Sequence, residues 1–134
     1  MRWLLGASLL RAGPAIVGLA VMGCIQEPTP RELTLSLSTP NSDDGAVRFT
    51  VSTVAPNRIV AATAVCEGCK AFYYEVSEVE FRVIVTGPLK PGPVAKLLVS
   101  DAAPVGAYRV DVLEVAARDF QPRSRTGYAV VVMR

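Results

Sequence analysis

The chain has no histidine, a single tryptophan and only three cysteines in 134 residues. Without histidine the commonest general base is missing, so Ser-His-Asp and Cys-His nucleophilic sites cannot be built; serine-lysine pairs and paired carboxylates are what remain. A structural zinc site needs four ligands, and one C-x-x-C motif with no histidine supplies two. No window of ten or more residues carries an apolar stripe at helical spacing, and there is no internal repeat or low-complexity tract. The expectation is a protein with no catalytic group, no metal and no cofactor.

What the chain does have first is a short basic start, Arg2 then Arg11, an apolar segment from Ala12 to Met22, and the string Val21-Met22-Gly23-Cys24. That layout is the layout of a secretory signal, too short and too poorly flanked for a spanning helix. The string resembles the lipobox of bacterial lipoproteins, in which a signal peptidase cuts just before a cysteine that has received a diacylglycerol. The resemblance implies that residues 1–23 are removed, that Cys24 is lipidated and that the membrane is a partner through the acyl chains. Ile25 follows the cysteine instead of aspartate, which in a two-membrane bacterium implies the outer membrane. The plainer reading of Cys24 is a small apolar residue in a signal segment cut elsewhere. Cutting before Cys24 leaves 111 residues, one domain of ordinary size. Arg2 and Arg11 leave with the signal, so 12 basic side chains face 12 acidic ones. That balance argues against nucleic acid as a partner, since such a binder needs a basic face to exchange for counterions.

Residues 24–32 read as the lipidated cysteine and an extended tether (IQEPTPRE), with two prolines and no period. The folded part is expected over 33–134, and its period is two. Leu33, Leu35 and Leu37 alternate with polar residues, and so do Val47, Phe49 and Val51. Between them Pro40 to Gly45 (PNSDDG) ends in Asp-Gly, a dipeptide suited to a hairpin. Ile59 to Val65, Phe72 to Val76, and Val79 to Val85 follow as strands, with Glu78, Glu80 and Arg82 facing out. Three prolines in Gly87 to Pro93 remove three donors and are expected to end the ladder before Val94. From Gly106 to Asp119 the inward row Tyr108, Val110 and Val112 shifts phase to Leu113 and Val115, as a β-bulge produces. Gly127 to Met133, continuously apolar, is expected between two neighbours.

These short strands, parted by Pro, Gly, Asn and Asp turns, predict an all-β fold: an antiparallel two-sheet sandwich of immunoglobulin-like type with about 7–9 strands. Gly106 to Val112, continuing to Asp119, resembles the penultimate strand of bacterial immunoglobulin-like and fibronectin-III-like modules, which would make Tyr108 the tyrosine that bonds back to the chain. Gly45 to Phe49 and Phe81 to Val85 resemble paired strands of cohesin-like sandwiches, bacterial surface domains that bind protein partners.

Five constellations could carry chemistry. Cys66-Glu67-Gly68-Cys69 could be a redox pair, but thiol oxidoreductases set C-x-x-C at a helix N-terminus, whose dipole favours the thiolate. Here an aromatic and β-branched strand pattern follows. A small disulfide pinning a turn, with Gly68 supplying the backbone freedom, is therefore expected. Asn41, Asp43 and Asp44 could hold calcium but fit turn formation better. Glu75, Glu78 and Glu80 fit a wet strand face, and Arg118, Arg123 and Arg125 a solvated loop. Phe72, Tyr73 and Tyr74 cannot all point inward from one strand, so they are the candidate binding surface. The functional expectation is a non-catalytic envelope lipoprotein that presents its sandwich for binding or assembly with an envelope protein or a glycan. The alternatives are a periplasmic thiol-disulfide oxidoreductase on Cys66 and Cys69, and a carbohydrate-binding module.

Overall fold

The computed structural model describes residues 31–100 and 104–134. The signal segment, Cys24 and the tether up to residue 30 lie outside the described residues. Among the described residues nine strands form two antiparallel sheets: β1 (Arg31–Ser38), β2 (Asp44–Ser52), β3 (Ile59–Ala64), β4 (Lys70–Ser77), β5 (Glu80–Leu89), β6 (Gly92–Val99), β7 (Arg109–Ala117), β8 (Pro122–Arg123) and β9 (Ala129–Met133). The four-stranded sheet runs in the order β3-β6-β1-β9, the five-stranded sheet β4-β5-β2-β7-β8. The fold is the antiparallel two-sheet sandwich that the alternating pattern predicts.

The inward rows explain why these segments are strands. Leu33, Leu35 and Leu37 on β1, Val47, Phe49 and Val51 on β2, and Phe81, Val83 and Val85 on β5 are all buried. The β2 and β5 rows meet the β1 leucines and Val94, Leu97 and Val99 of neighbouring β6 across the sandwich in one continuous core. Each such side chain withdrawn from water contributes about 1.5–3 kcal/mol, so shifting any of these strands by one residue would expose a whole row.

Several expectations need correction. β1 begins at Arg31, two residues before the first core leucine, because Arg31 and Glu32 still pair with Val99 and Leu98. The Asp-Gly step makes no hairpin: Asp44 opens β2, and β1 and β2 lie in different sheets. The prolines of 87–93 break the strands only at Lys90 and Pro91, because β5 continues to Leu89 and β6 resumes at Gly92, although Gly87 and Pro88 have no partner in the register of β5 with either neighbour. The sheet tolerates Pro93 because it sits at an irregularity, opposite the register shift at Leu35 and Ser36. Glu78 and Val79 form the turn between β4 and β5 and are not part of an outward strand row. The bulge in β7 is present, opposite Arg48 and Phe49, but Leu113 faces away from the core. β9 is an edge strand that pairs with β1 alone, and it alternates instead of being buried on both faces: Val130 is buried, while Val131 and Met133 on the outward face are about half exposed.

Candidate functional site

The outer face of the five-stranded sheet collects the exposed apolar groups. On β4, Phe72 and Tyr74 point outward, opposite Ile84 and Arg82 of β5. The row continues from Ile84 to Arg48 of β2 and on to Glu114 of β7. Arg48 and Glu114 form an ion pair of 2.7 Å, and Arg82 donates a 3.0 Å hydrogen bond to the Tyr74 hydroxyl. At the β7 end the face deepens into a cleft of about 600 Å³, with Ala46, Ile84, Leu113 and Phe120 as apolar lining and Arg48, Arg123 and Arg125 as cationic lining. That volume falls in the range of small-molecule and peptide pockets.

Phe120 sits on the turn that joins β7 to β8. Its φ is +67°, a left-handed conformation that a bulky residue seldom adopts, and it is 85% exposed. The turn is held by the Phe120 N–H donating to the Ala117 carbonyl at 2.9 Å and the Gln121 N–H donating to Asp119 Oδ1 at 3.1 Å. An aromatic ring displayed this way marks a place where backbone strain and exposure coincide, a frequent trait of binding sites. Nothing in the local sequence DFQP announces it, because a left-handed position is normally signalled by glycine or asparagine.

Of the three candidate aromatics the structure brings two together. Phe72 and Tyr74 share the outer face, whereas Tyr73 lies on the inner side, its ring stacked on Phe81 at 5.2 Å. Tyr73 is nevertheless 44% exposed, because β4 is the edge of its sheet.

Cys66 and Cys69 are joined by a disulfide, half-buried against the core in the turn that leads into β4. No α-helix begins at either cysteine, so the dipole that would favour a thiolate is missing. Gly68 has φ +75°, and Gly87 packs so closely that a Cβ there would come within 2.8 Å of the Gly68 carbonyl oxygen. Sheet contacts thus hold the turn independently of the sulfurs. Replacing Cys66 and Cys69 with serine is expected to cost at most about 2–3 kcal/mol by the loop-closure model. Urea unfolding of the oxidised wild type and the double variant measures it.

Asn41, Asp43, Asp44 and Arg123 join Thr39 and Tyr128 in a polar clasp, whereas Arg118 and Arg125 stay exposed as a solvated loop would have them. Asp44 is fully buried. Its Oδ1 accepts from the Tyr128 hydroxyl at 2.6 Å and from Arg123 Nη1 at 2.9 Å, and its Oδ2 accepts from Thr39 Oγ1 at 2.6 Å. Asn41 Nδ2 donates to the Tyr128 hydroxyl at 2.8 Å. With its oxygens so engaged, Asp44 has little left for a cation, and no cluster of three metal-ligating side chains occurs among the described residues. Arg118 reaches the Ser42 carbonyl at 3.4 Å and Arg125 the Val112 carbonyl at 3.3 Å. Sequence reading missed the clasp because its members are about 80 positions apart.

Arg123 also donates from Nη2 to Asp43 Oδ2 at 2.7 Å, and this bond, with the nearby positive charge, holds the Asp43 carboxyl below the usual carboxylate range. A carboxyl depressed in the folded state adds stability above its unfolded value near 4, and that stability is lost as pH falls through the lower folded value. Arg123→Gln is therefore expected to raise the Asp43 pKa, as read by carboxyl NMR titration.

Compared with family models, curated protein sequences and solved structures, the chain matches none.

Proposed function

We propose that the chain is a non-catalytic lipoprotein of the bacterial cell envelope, anchored through Cys24, that binds a partner on the outer face of its five-stranded sheet. The observation that carries the binding part is the cleft beside Phe120, with its apolar floor and cationic lining, continuous through Ile84 with the exposed ring of Phe72. The buried Asp44 fixes Arg123, and Arg48 is tied to Glu114, so part of the lining is held in place before a ligand arrives. The anchor part is supported by the lipobox-like string at 21–24 and the proline-containing tether behind it. Two or more acyl chains hold a protein where one gives only marginal binding.

The test joins fractionation to site-specific photocrosslinking in cells that make the full chain. Wild type is expected in the membrane fraction with an acylated N-terminal cysteine by mass spectrometry, and Cys24→Ala is expected to abolish processing and acylation. A photoreactive phenylalanine analogue at Phe120 is expected to capture a defined partner, and the same analogue at Val131, on the opposite sheet, is not. Processing that survives Cys24→Ala would overturn the anchor, and equal capture at both positions would overturn the face. A glycan ligand is a second reading, favoured by Phe72 and Tyr74 projecting side by side from one face. Ring resonances of those two residues shifting on titration with soluble envelope glycans would decide for it.

A further inference from the structure

We propose that β4 is a self-association edge, pairing antiparallel with β4 of a second copy about a two-fold axis centred on Tyr73. This inference concerns the open edge of the sheet and not the cleft beside Phe120, although Phe72 and Tyr74 belong both to this edge and to the outer face of the binding reading.

The open edge is the first observation. β4 runs for eight residues and pairs only with β5. Exposed edge strands are usually blunted by proline, a bulge, shortness or an inward charge. β8, at the other edge of the same sheet, is two residues long and contains Pro122. From Ala71 to Tyr74 β4 has none of these devices; Lys70 at one end, and at the other the inward-side Glu75 opposite Phe81 with the irregularity between Glu75 and Ser77, confine the open stretch to those four residues. Tyr73 adds the second observation: it faces the inner side, stacks on Phe81 and is still 44% exposed for want of a neighbouring strand.

Symmetry then selects the occupant. In an antiparallel pair, directly opposed side chains point to the same face, so a two-fold axis perpendicular to the sheet must pass midway between the two copies of one residue. With Tyr73 on the axis, each Tyr73 meets its own copy and covers the ring that the monomer leaves bare. Phe72 then lies opposite Tyr74 of the second copy, Ala71 opposite Glu75, and Lys70 opposite Val76. Four rings would adjoin on the outer face, with no like charges opposed, and aromatic cross-strand pairs are among the stabilising ones. Moving the axis by one residue would instead set Tyr73 against Ala71 or Glu75. The same axis brings both four-stranded sheets, and hence both β1 strands, to one side of the pair and both clefts to the other.

The full chain carrying Tyr73→Cys, purified in detergent micelles and treated with a mild oxidant, tests this on a non-reducing gel. A covalent dimer is expected from Tyr73→Cys, at least several-fold above that from Val131→Cys on the β9 edge and above the unsubstituted chain. Adding Phe72→Lys and Tyr74→Lys, both at exposed positions, should abolish it while the strand circular dichroism is kept. Sedimentation of the wild-type chain should show a concentration-dependent dimer that the two lysines remove. Equal crosslinking at Tyr73→Cys and Val131→Cys, or a wild type that stays monomeric with no crosslink at 73, would overturn the proposal.

Discussion

Asp44→Ala is expected to destabilise the domain by about 3–5 kcal/mol, the usual cost of breaking a buried ion pair by removing one partner. The carboxylate is fully buried and receives three hydrogen bonds, from Thr39, Tyr128 and Arg123. Its removal strands those donors at a closed site. Asp44→Asn keeps the volume but not the charge, and its amide nitrogen would confront groups that themselves donate, so most of the loss should remain. At roughly 4–8 °C per kcal/mol for a domain of this size, the change is read directly from thermal unfolding. A melting temperature within a few degrees of wild type for Asp44→Ala would show that the clasp contributes little.

Phe49→Ala is expected to cost a similar amount, about 3–5 kcal/mol, through an entirely different cause. Phe49 has no exposed surface and lies on β2, which has a partner on each side: it opposes Val83 of β5 and Val112 of β7. Strands on both sides restrict collapse into the space left behind, so the lost transfer energy is joined by the cost of a cavity. Phe72→Ala is the matched control, because its ring is 56% exposed, and surface positions of that kind usually stay within about 0.5 kcal/mol. Urea unfolding of the two variants should separate them clearly. With domains commonly stable by only about 5–15 kcal/mol, Phe49→Ala alone could consume much of the total.

The strands were readable wherever one face is buried and the other wet, since alternation is then imposed by the core itself. β1, β2 and β5 are such cases, and the phase slip in β7 was legible as a bulge for the same reason. β9 misled because an apolar run does not say how many neighbours a strand has, and its exposed Val131 and Met133 look like core residues in the sequence. The Asp-Gly step misled because turn propensity is local, whereas the entry of Asp44 into β2 is fixed by Tyr128 and Arg123, far along the chain. The cleft was not legible at all. It depends on Leu113 turning outward at the bulge and on a left-handed Phe120, neither of which has a compositional signal. The three aromatics stand out in the sequence, but which of them share a face follows from strand parity once the register against β5 is known.

The position of β1 also sets the order in which the chain can fold. Its two neighbours are β6 and β9, and only β4–β5 and β7–β8 are joined as hairpins within a sheet. A chain emerging from its N-terminus therefore offers the Leu33, Leu35 and Leu37 row, and the Asp44 carboxylate, long before the segments that cover them have been made. Closing such distant pairs places folding among the slower small domains, on the order of milliseconds to seconds. Loss of Ala129–Met133 would strip β1 of a whole flank, so truncation at that end should act on the first strand and not merely shorten the last.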